Sequence, residues 1–222
     1  MIDDPAFEAD GAAHVLGVLD AAQVEAARTR LNPGLAGRPG RRLSSGLDDV
    51  LARLTPVAAA LLGQAAFPVR AVAFDKTPDL NWSVGWHQDR TIAVSERREA
   101  PGYGPWSTKD GIPHVQPPVA VLERMVTLRL HLDDCGEDNA PLTVALGSHR
   151  QGIIPAADAA FVARSLPNLS CQARAGDVWA YRTLILHMSE RSRASARRRV
   201  LQVDYAAEDL PGGLRWRTGG AG

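Results

Sequence analysis

From residue 68 onward the chain is a succession of short apolar or alternating runs, and this feature limits its fold more than any other. Seven runs stand between residues 68 and 205, namely PVRAVAF, WSVGWH, MVTLRLHL, PLTVAL, DVWAY, TLILHM and RRVLQVDY. Glycine, proline, aspartate and asparagine separate them, and stretches long enough for helical crossovers are mostly missing. Parallel strands need such crossovers, whereas antiparallel strands do not. The sequence therefore predicts a mainly β fold, an antiparallel sandwich or barrel.

The N-terminal part has a different pattern. Residues 12–17 fit a short strand, and residues 19–32 fit a helix that Asp20 caps, with Gln23 completing a capping box. Asn32-Pro33-Gly34 predicts the end of this helix, and the stretch PGLAGRPGRR predicts a loop after it.

A second helix is predicted over residues 47–63, where leucine and valine recur at helical spacing. Ser44 or Ser45 is expected to cap it, and Pro56 predicts a break or a kink. We expect these N-terminal helices, up to about residue 66, to pack on a β core that spans about residues 68–206.

Length, charge and cysteine content exclude several classes of protein. The chain has 222 residues, of which 45% are hydrophobic, so one domain over 1–222 is expected. Basic and acidic residues number 25 each, which gives no field to attract nucleic acid or an anionic membrane. The acidic start MIDDPAFEAD does not resemble a signal peptide, and a cytoplasmic location with Cys135 and Cys171 reduced is expected.

One long connection interrupts the β pattern. Residues 95–119 are rich in proline and glycine, and loops of this length are often lids or binding loops. As a lid, the segment would offer Tyr103 and Trp106 as apolar contacts and Lys109 as an anion partner. The alternative is a loose insertion that never meets a substrate. A short helix is expected over residues 155–166.

The stretch GWHQDRT places His87 and Asp89 two residues apart. In a strand these side chains share a face and can bind one metal ion, although an exposed ion pair has the same pattern. A third ligand must come from another strand. The best-placed histidine is His187, which ends the apolar run TLILH. Two histidines and one carboxylate form the facial triad of non-haem Fe(II) oxygenases, which leaves positions for a 2-oxo acid and O2.

The other four histidines fit this role less well. His14 and His114 lie in the N-terminal segment and the long connection, and His149 follows a turn. His131 shares a strand face with Thr127 and Arg129, a face that points either to a cavity or to solvent.

An arginine supplies a second feature of the site. Arg198 follows His187 by eleven residues and opens the next predicted strand, which can return it to the same region. A guanidinium matches a carboxylate through paired hydrogen bonds. The distal carboxylate of 2-oxoglutarate is a ligand of this type. The alternative is that Arg198 belongs to a solvated basic loop.

Several stretches together resemble the phytanoyl-CoA dioxygenase family of Fe(II)/2-oxoglutarate oxygenases. They are NWSVGWHQD, LRLHLDDCGEDNAPLTVALGSHR, the AGD of ARAGDVWAY, and LHMSERSRASARRRVLQVDY. The resemblance covers about residues 68–206 and implies a double-stranded β-helix, a jelly-roll barrel.

The resemblance also implies roles for individual residues. His87, Asp89 and His187 would bind iron, Arg198 would bind 2-oxoglutarate, and Ser189 would assist at the same carboxylate. An aspartate at position 89 favours hydroxylation over halogenation.

Some positions depart from the family's pattern. The usual Asn-Gly-Pro turn is Asn139-Ala140-Pro141 here, and Leu146 replaces a proline before Gly147-Ser148-His149, which is expected to be a structural turn. These departures affect turns and not the triad.

The function expected from these features is hydroxylation of an unactivated C–H bond in a small molecule. Fe(II) would be the cofactor, 2-oxoglutarate and O2 the cosubstrates, and succinate and CO2 the by-products. The alternatives are a metal enzyme independent of 2-oxo acids and a non-catalytic cupin-like binding protein. Trp82 and Trp86 are expected mainly in the core, and Lys76 and Asn81 near the cosubstrate or substrate.

Overall fold

The structure is a computed structural model that describes residues 5–35 and 40–217. The strands in this part of the chain are β1 (Ala12–Val15), β2 (Gly40–Leu43), β3 (Phe67–Lys76), β4 (Val84–His87), β5 (Ile92–Ala93), β6 (Trp106–Lys109), β7 (Ile112–Val115), β8 (Val126–His131), β9 (Leu142–Ala145), β10 (Asn168–Cys171), β11 (Val178–Arg182), β12 (His187–Ser189) and β13 (Arg198–Ala206). The helices are α1 (Pro5–Asp10), α2 (Ala21–Leu35), α3 (Asp48–Leu62), α4 (Val119–Glu123) and α5 (Ala159–Arg164).

Two antiparallel sheets carry the fold. The larger has the strand order β1-β11-β8-β13-β3-β2, and the smaller has the order β10-β9-β12-β4. Eight strands, from β3 to β13 without the β5–β7 set, divide equally between the two sheets in the order of a jelly roll. The mainly β, double-stranded β-helix fold predicted from the sequence is therefore confirmed.

The larger sheet is buried on both faces. The apolar residues of β8 and β13 cluster with those of α2 and α3, so this face of the sheet carries the helices. The alternate residues of β8 are Thr127, Arg129 and His131, and they are buried as well. Because side chains alternate along a strand, these polar groups point to the opposite face, into the barrel. The N-terminal helices thus cover the apolar face of the larger sheet, and its polar face lines the interior of the barrel.

The capping box of α2 is confirmed, whereas its predicted end is wrong. The Gln23 backbone N–H donates to Asp20 Oδ1 at 2.8 Å, and the Asp20 N–H donates to Gln23 Oε1 at 3.0 Å. The helix continues through Asn32-Pro33-Gly34 to Leu35. A proline removes only one backbone donor, which costs less in a last turn than in mid-helix.

The segment between α2 and α3 also differs from the prediction. Residues 36–39 of the predicted loop lie outside the described residues, and the end of that loop forms the edge strand β2 beside β3. Neither Ser44 nor Ser45 caps α3, since Leu47 occupies the N-cap position without a side-chain hydrogen bond. Asp48 and Asp49 in the first turn instead favour the positive end of the helix dipole. The helix runs unbroken through Pro56.

The connection over residues 95–119 contains a β-hairpin. Strands β6 and β7 pair with each other, and β7 also pairs with β5. Asp110 and Gly111 form the turn with φ values of 52° and 75°, a conformation that Asp-Gly pairs favour. Tyr103 and Trp106 pack with a second apolar cluster, and the Tyr103 hydroxyl donates to Pro211 O at 2.8 Å. Core packing thus engages Tyr103 and part of the Trp106 side chain, and their role as substrate contacts stays a prediction.

The short helix predicted over residues 155–166 is confirmed as α5. Both cysteines are free thiols and are buried. Among the described helices, none combines the length and apolar character that crossing a bilayer requires.

Candidate functional site

Two neighbouring strands of the smaller sheet bring the predicted triad together. His187 on β12 is the direct cross-strand partner of His87 on β4, and the centroids of the two rings are 4.2 Å apart. Asp89 follows β4 by two residues. One ligand atom from each of the three side chains lies within 4.8 Å of the other two. The sequence prediction that these three side chains converge is confirmed.

The backbone orients both imidazole rings in the same way. His87 Nδ1 lies 2.8 Å from Gly85 O, and His187 Nδ1 lies 3.0 Å from Ile185 O. A carbonyl oxygen can only accept, so each Nδ1 carries the proton and each Nε2 keeps its lone pair. Burial, reinforced by His87, lowers the pKa of His187 to about 4. His187 is therefore neutral at physiological pH, and its Nε2 lone pair is available to a metal ion.

The third member of the triad is held by two donors. Arg70 Nη2 and Gln202 Nε2 each donate to Asp89 Oδ2 at 3.0 Å, which leaves Oδ1 available. Burial by itself would raise the pKa of Asp89, but Arg70, followed by the two histidines, lowers it below its usual value. Arg70 also donates to Asp204 Oδ2 at 2.5 Å. Asp89 is therefore an ionised carboxylate in a fixed orientation.

The triad opens on a cavity of about 80 Å³. Its other lining residues are Phe74, Trp82, Val84, Arg129, Leu142, Ser189, Arg198 and Gln202. Trp82 is thus a wall of the cavity, which corrects its assignment to the core, whereas Trp86 packs with the apolar cluster around α5. Pockets for drug-sized ligands are usually about 300 Å³ or more. Only a small molecule fits inside, and a larger one must approach from outside.

Arg198 lines this cavity as predicted. Its side chain is 2% exposed, Nη1 donates to Ala140 O at 2.8 Å, and Nε has no hydrogen-bond partner among the described residues. Burial, then the neighbouring charge of Arg129, lowers the pKa of Arg198 to about 10, so it is still charged at neutral pH. Ala140 has a φ of 50°, which explains why a glycine suits this turn better.

Lys76 adds a second cation beside Arg198. It is the cross-strand partner of Arg198, and its side chain is 1% exposed. Its Nζ donates to Ser189 Oγ at 3.3 Å and to Glu190 O at 2.5 Å, and lies 5.1 Å from the centre of the Trp82 ring. Burial, followed by the charges of Arg198 and Arg129, lowers the pKa of Lys76 to about 7.

Arg70 and Gln202 were missed by sequence reasoning, and Arg129 was not assigned a role. Gln202 stands between the apolar residues Leu201 and Val203 on β13, and this alternation could have indicated it. Arg70 shares its face of β3 with Val72 and Phe74, so no alternation marks it. Asn81, expected near the ligands, instead binds the backbone of Ser192.

The remaining histidines lie outside the triad. His14 stacks on Trp179 and contacts Asp177, His114 is buried in the hairpin, His131 is buried beside Arg129, and His149 packs against Gly11. Lys109, predicted as an anion partner, donates to Thr91 Oγ1 at 3.3 Å.

Comparison with protein families decides the affiliation of the chain. The family model described as phytanoyl-CoA dioxygenase (PhyH) matches residues 7–200. The chain belongs to the phytanoyl-CoA dioxygenase family. A search of curated protein sequences found no significant match.

Solved structures share the fold of this phytanoyl-CoA dioxygenase family member at low sequence identity. SnoK, a non-heme α-ketoglutarate-dependent carbocyclase from nogalamycin biosynthesis, is 18% identical with a TM-score of 0.69, over 97% of this chain and 85% of SnoK. SnoN, an epimerase of the same biosynthesis, is 18% identical with a TM-score of 0.61, over 97% of this chain and 84% of SnoN. HygX from Streptomyces hygroscopicus, crystallised with nickel and 2-oxoglutarate, is 18% identical with a TM-score of 0.60, over 90% and 83% of the two chains.

Proposed function

We propose that the protein is an Fe(II)- and 2-oxoglutarate-dependent dioxygenase that hydroxylates an unactivated C–H bond of a small molecule. The observation that carries this proposal is a pairing across one cavity. Two histidines and one carboxylate stand at one end, and at the other stand buried cations for which the described residues provide no acidic partner. Family membership and the α-ketoglutarate dependence named for SnoK and SnoN support the same reaction class.

His87, Asp89 and His187 would hold the iron. The donor set fits Fe(II), since both imidazoles are oriented with Nε2 free and the carboxylate is ionised. With 2-oxoglutarate and O2, the iron supplies an oxidant strong enough for an unreactive C–H bond, while 2-oxoglutarate is converted to succinate and CO2. The chain's own contribution is to bind, to orient and to exclude water. Arg70 and Gln202 keep Asp89 in place and charged.

Arg198 would bind the distal carboxylate of 2-oxoglutarate, and Ser189 and Lys76 would assist. Among residues 5–35 and 40–217, no carboxylate forms an ion pair with Arg198 or Lys76. A buried charge without a counter-ion is costly, so an anionic ligand at this position would remove a penalty that the free protein carries. The unpartnered Nε of Arg198 is an additional donor for that ligand.

The substrate would approach from outside the cavity, because a volume of about 80 Å³ is well below that of pockets which enclose drug-sized ligands. One oxygen atom of O2 would enter the substrate as a hydroxyl group and the other would enter succinate. An aspartate at position 89 supports hydroxylation, since it occupies the coordination position that a halogenase leaves open for chloride.

The deciding experiment is an anaerobic titration of the metal-free protein with Fe(II), with and without 2-oxoglutarate. We expect a visible metal-to-ligand charge-transfer band only when both are present. His187→Ala should abolish the band, whereas His149→Ala, which alters a histidine outside the cavity, should keep it. Metal binding without the band would favour a metal enzyme independent of 2-oxo acids. Absence of metal binding would favour a non-catalytic binding protein.

A further inference from the structure

Arg129 is a buried arginine that the proposed roles leave unexplained. It lies on β8, is 6% exposed and lines the cavity. Its Nη1 donates to Gln202 Oε1 at 2.8 Å, and its guanidinium carbon lies 5.3 Å from the centre of the Phe74 ring. Its Nε has no hydrogen-bond partner within the described chain. One neutral amide does not compensate a buried guanidinium charge.

The charges around Arg129 make the imbalance larger. Arg129 is close enough to Lys76 and Arg198 to lower the pKa of each. The next inward residue on β8, His131, is 1% exposed, and neither of its ring nitrogens has a partner within the described residues. The inner wall therefore places Arg129, Arg198 and Lys76 close together, and no carboxylate of the described residues forms an ion pair with any of them. A single carboxylate bound to Arg198 would neutralise only part of this positive charge.

Arg129 stands nearer than Arg198 to the proposed metal ligands. In the β8–β13 pairing it lies opposite Gln202, whose Nε2 donates to Asp89. Arg198 begins the same strand, four residues before Gln202. The two guanidiniums thus belong to different ends of one cavity, as the two carboxylates of a short dicarboxylic acid require.

We propose that Arg129 binds the second carboxylate of the 2-oxo dicarboxylic acid, the one next to the oxo group, while Arg198 binds the distal one. This inference rests on the proposed function and adds a residue that selects for a dicarboxylate held at both ends. Because both arginines are present without metal, the metal-free protein should already bind 2-oxoglutarate. A monocarboxylate such as 2-oxobutyrate should bind much more weakly.

The test is isothermal titration of the metal-free, EDTA-treated protein with 2-oxoglutarate. Removing a hydrogen bond to a charged group raises the Kd by about 10- to 100-fold, so Arg129→Met and Arg198→Met should each weaken binding by that factor. Arg129→Lys keeps the charge and should recover part of the affinity. Arg124→Met is the matched control, because Arg124 is an exposed arginine that lies outside the cavity.

Thermal unfolding without ligand supplies a second readout. Arg129→Met replaces a buried cation that has no counter-ion among the described residues by an apolar side chain of similar length. We expect it to raise the Tm of the metal-free protein by roughly 2–4 °C. Higher stability together with weaker 2-oxoglutarate binding distinguishes a ligand-binding residue from a structural one. A structural arginine would lower the Tm when it is replaced.

Three results would overturn the inference. If Arg129→Met binds 2-oxoglutarate like the wild type while Arg198→Met does not, Arg129 is no ligand, although the proposed function stands. If Arg124→Met weakens binding as much as Arg129→Met, the loss reflects the overall charge of the protein and the direct contact is excluded. A wild-type protein that binds no 2-oxoglutarate without metal also refutes the two-arginine site, and the charge-transfer titration then judges the proposed function separately.

Discussion

Lys76 makes binding of the cosubstrate depend on pH in a direction that can be worked out. Burial, then Arg198 and Arg129, lowers its pKa to about 7, so the free protein loses this charge near neutral pH. A carboxylate bound beside it favours the charged amine instead. At pH 6 about nine-tenths of the free protein carries the charge, and at pH 8 about one-tenth does. If binding requires charged Lys76, the Kd rises about tenfold from pH 6 to pH 8.

The assay is the amplitude of the charge-transfer band during anaerobic titration with 2-oxoglutarate at saturating Fe(II). The pKa of His187, about 4, and that of Arg198, about 10, lie outside this interval. Lys76→Arg keeps a charge throughout and should give a low, constant Kd. Lys76→Met should give a high, constant Kd. A wild-type Kd that is flat from pH 6 to pH 8, or a slope that persists in Lys76→Arg, would refute the reasoning.

Two further substitutions test how the site is supported. Arg70→Met leaves the buried Asp204 and the partly exposed Asp89 without a cation, so we expect the free energy of unfolding in urea to fall by about 3 kcal/mol. A loss below about 1 kcal/mol would show that this ion pair is dispensable. Gly176→Ala would place a Cβ 2.2 Å from Leu19 O at a φ of 96°, and a loss of about 2 kcal/mol or more is expected. An unchanged midpoint of urea unfolding would show that the loop around Gly176 shifts to accommodate the added Cβ.

The strands of the jelly roll were largely readable from the sequence, whereas the hairpin in residues 95–119 was not. Apolar alternation indicated most of the core strands, but β10 has the sequence NLSC and is too short and polar to show it. The hairpin strands WSTK and IPHV show no regular alternation either. The Asp110-Gly111 pair between them was the available indication of a turn, and the surrounding prolines and glycines obscured it.

The triad was predictable because a sequence feature marks each of its ligands. His87 and Asp89 lie two residues apart in one short segment, and the apolar run before His187 marks the end of a buried strand. The supporting residues Arg70 and Gln202 are different, since they meet Asp89 only through long-range strand pairing. No spacing within the sequence relates position 70 to position 89 or position 202.

The orientation of β8 could not be settled from its alternation, and the reason bears on function. A half-buried strand places its apolar face inward, which would expose Thr127, Arg129 and His131 to solvent. Here α2 and α3 cover the apolar face, so the polar face becomes the barrel interior. Such an interior carries the desolvated cations Arg129 and Arg198, which form no ion pair with a carboxylate of the described residues. The covering helices therefore do more than complete the core, because they direct these cations into the cavity, where the anionic ligand that we propose would be their counter-ion.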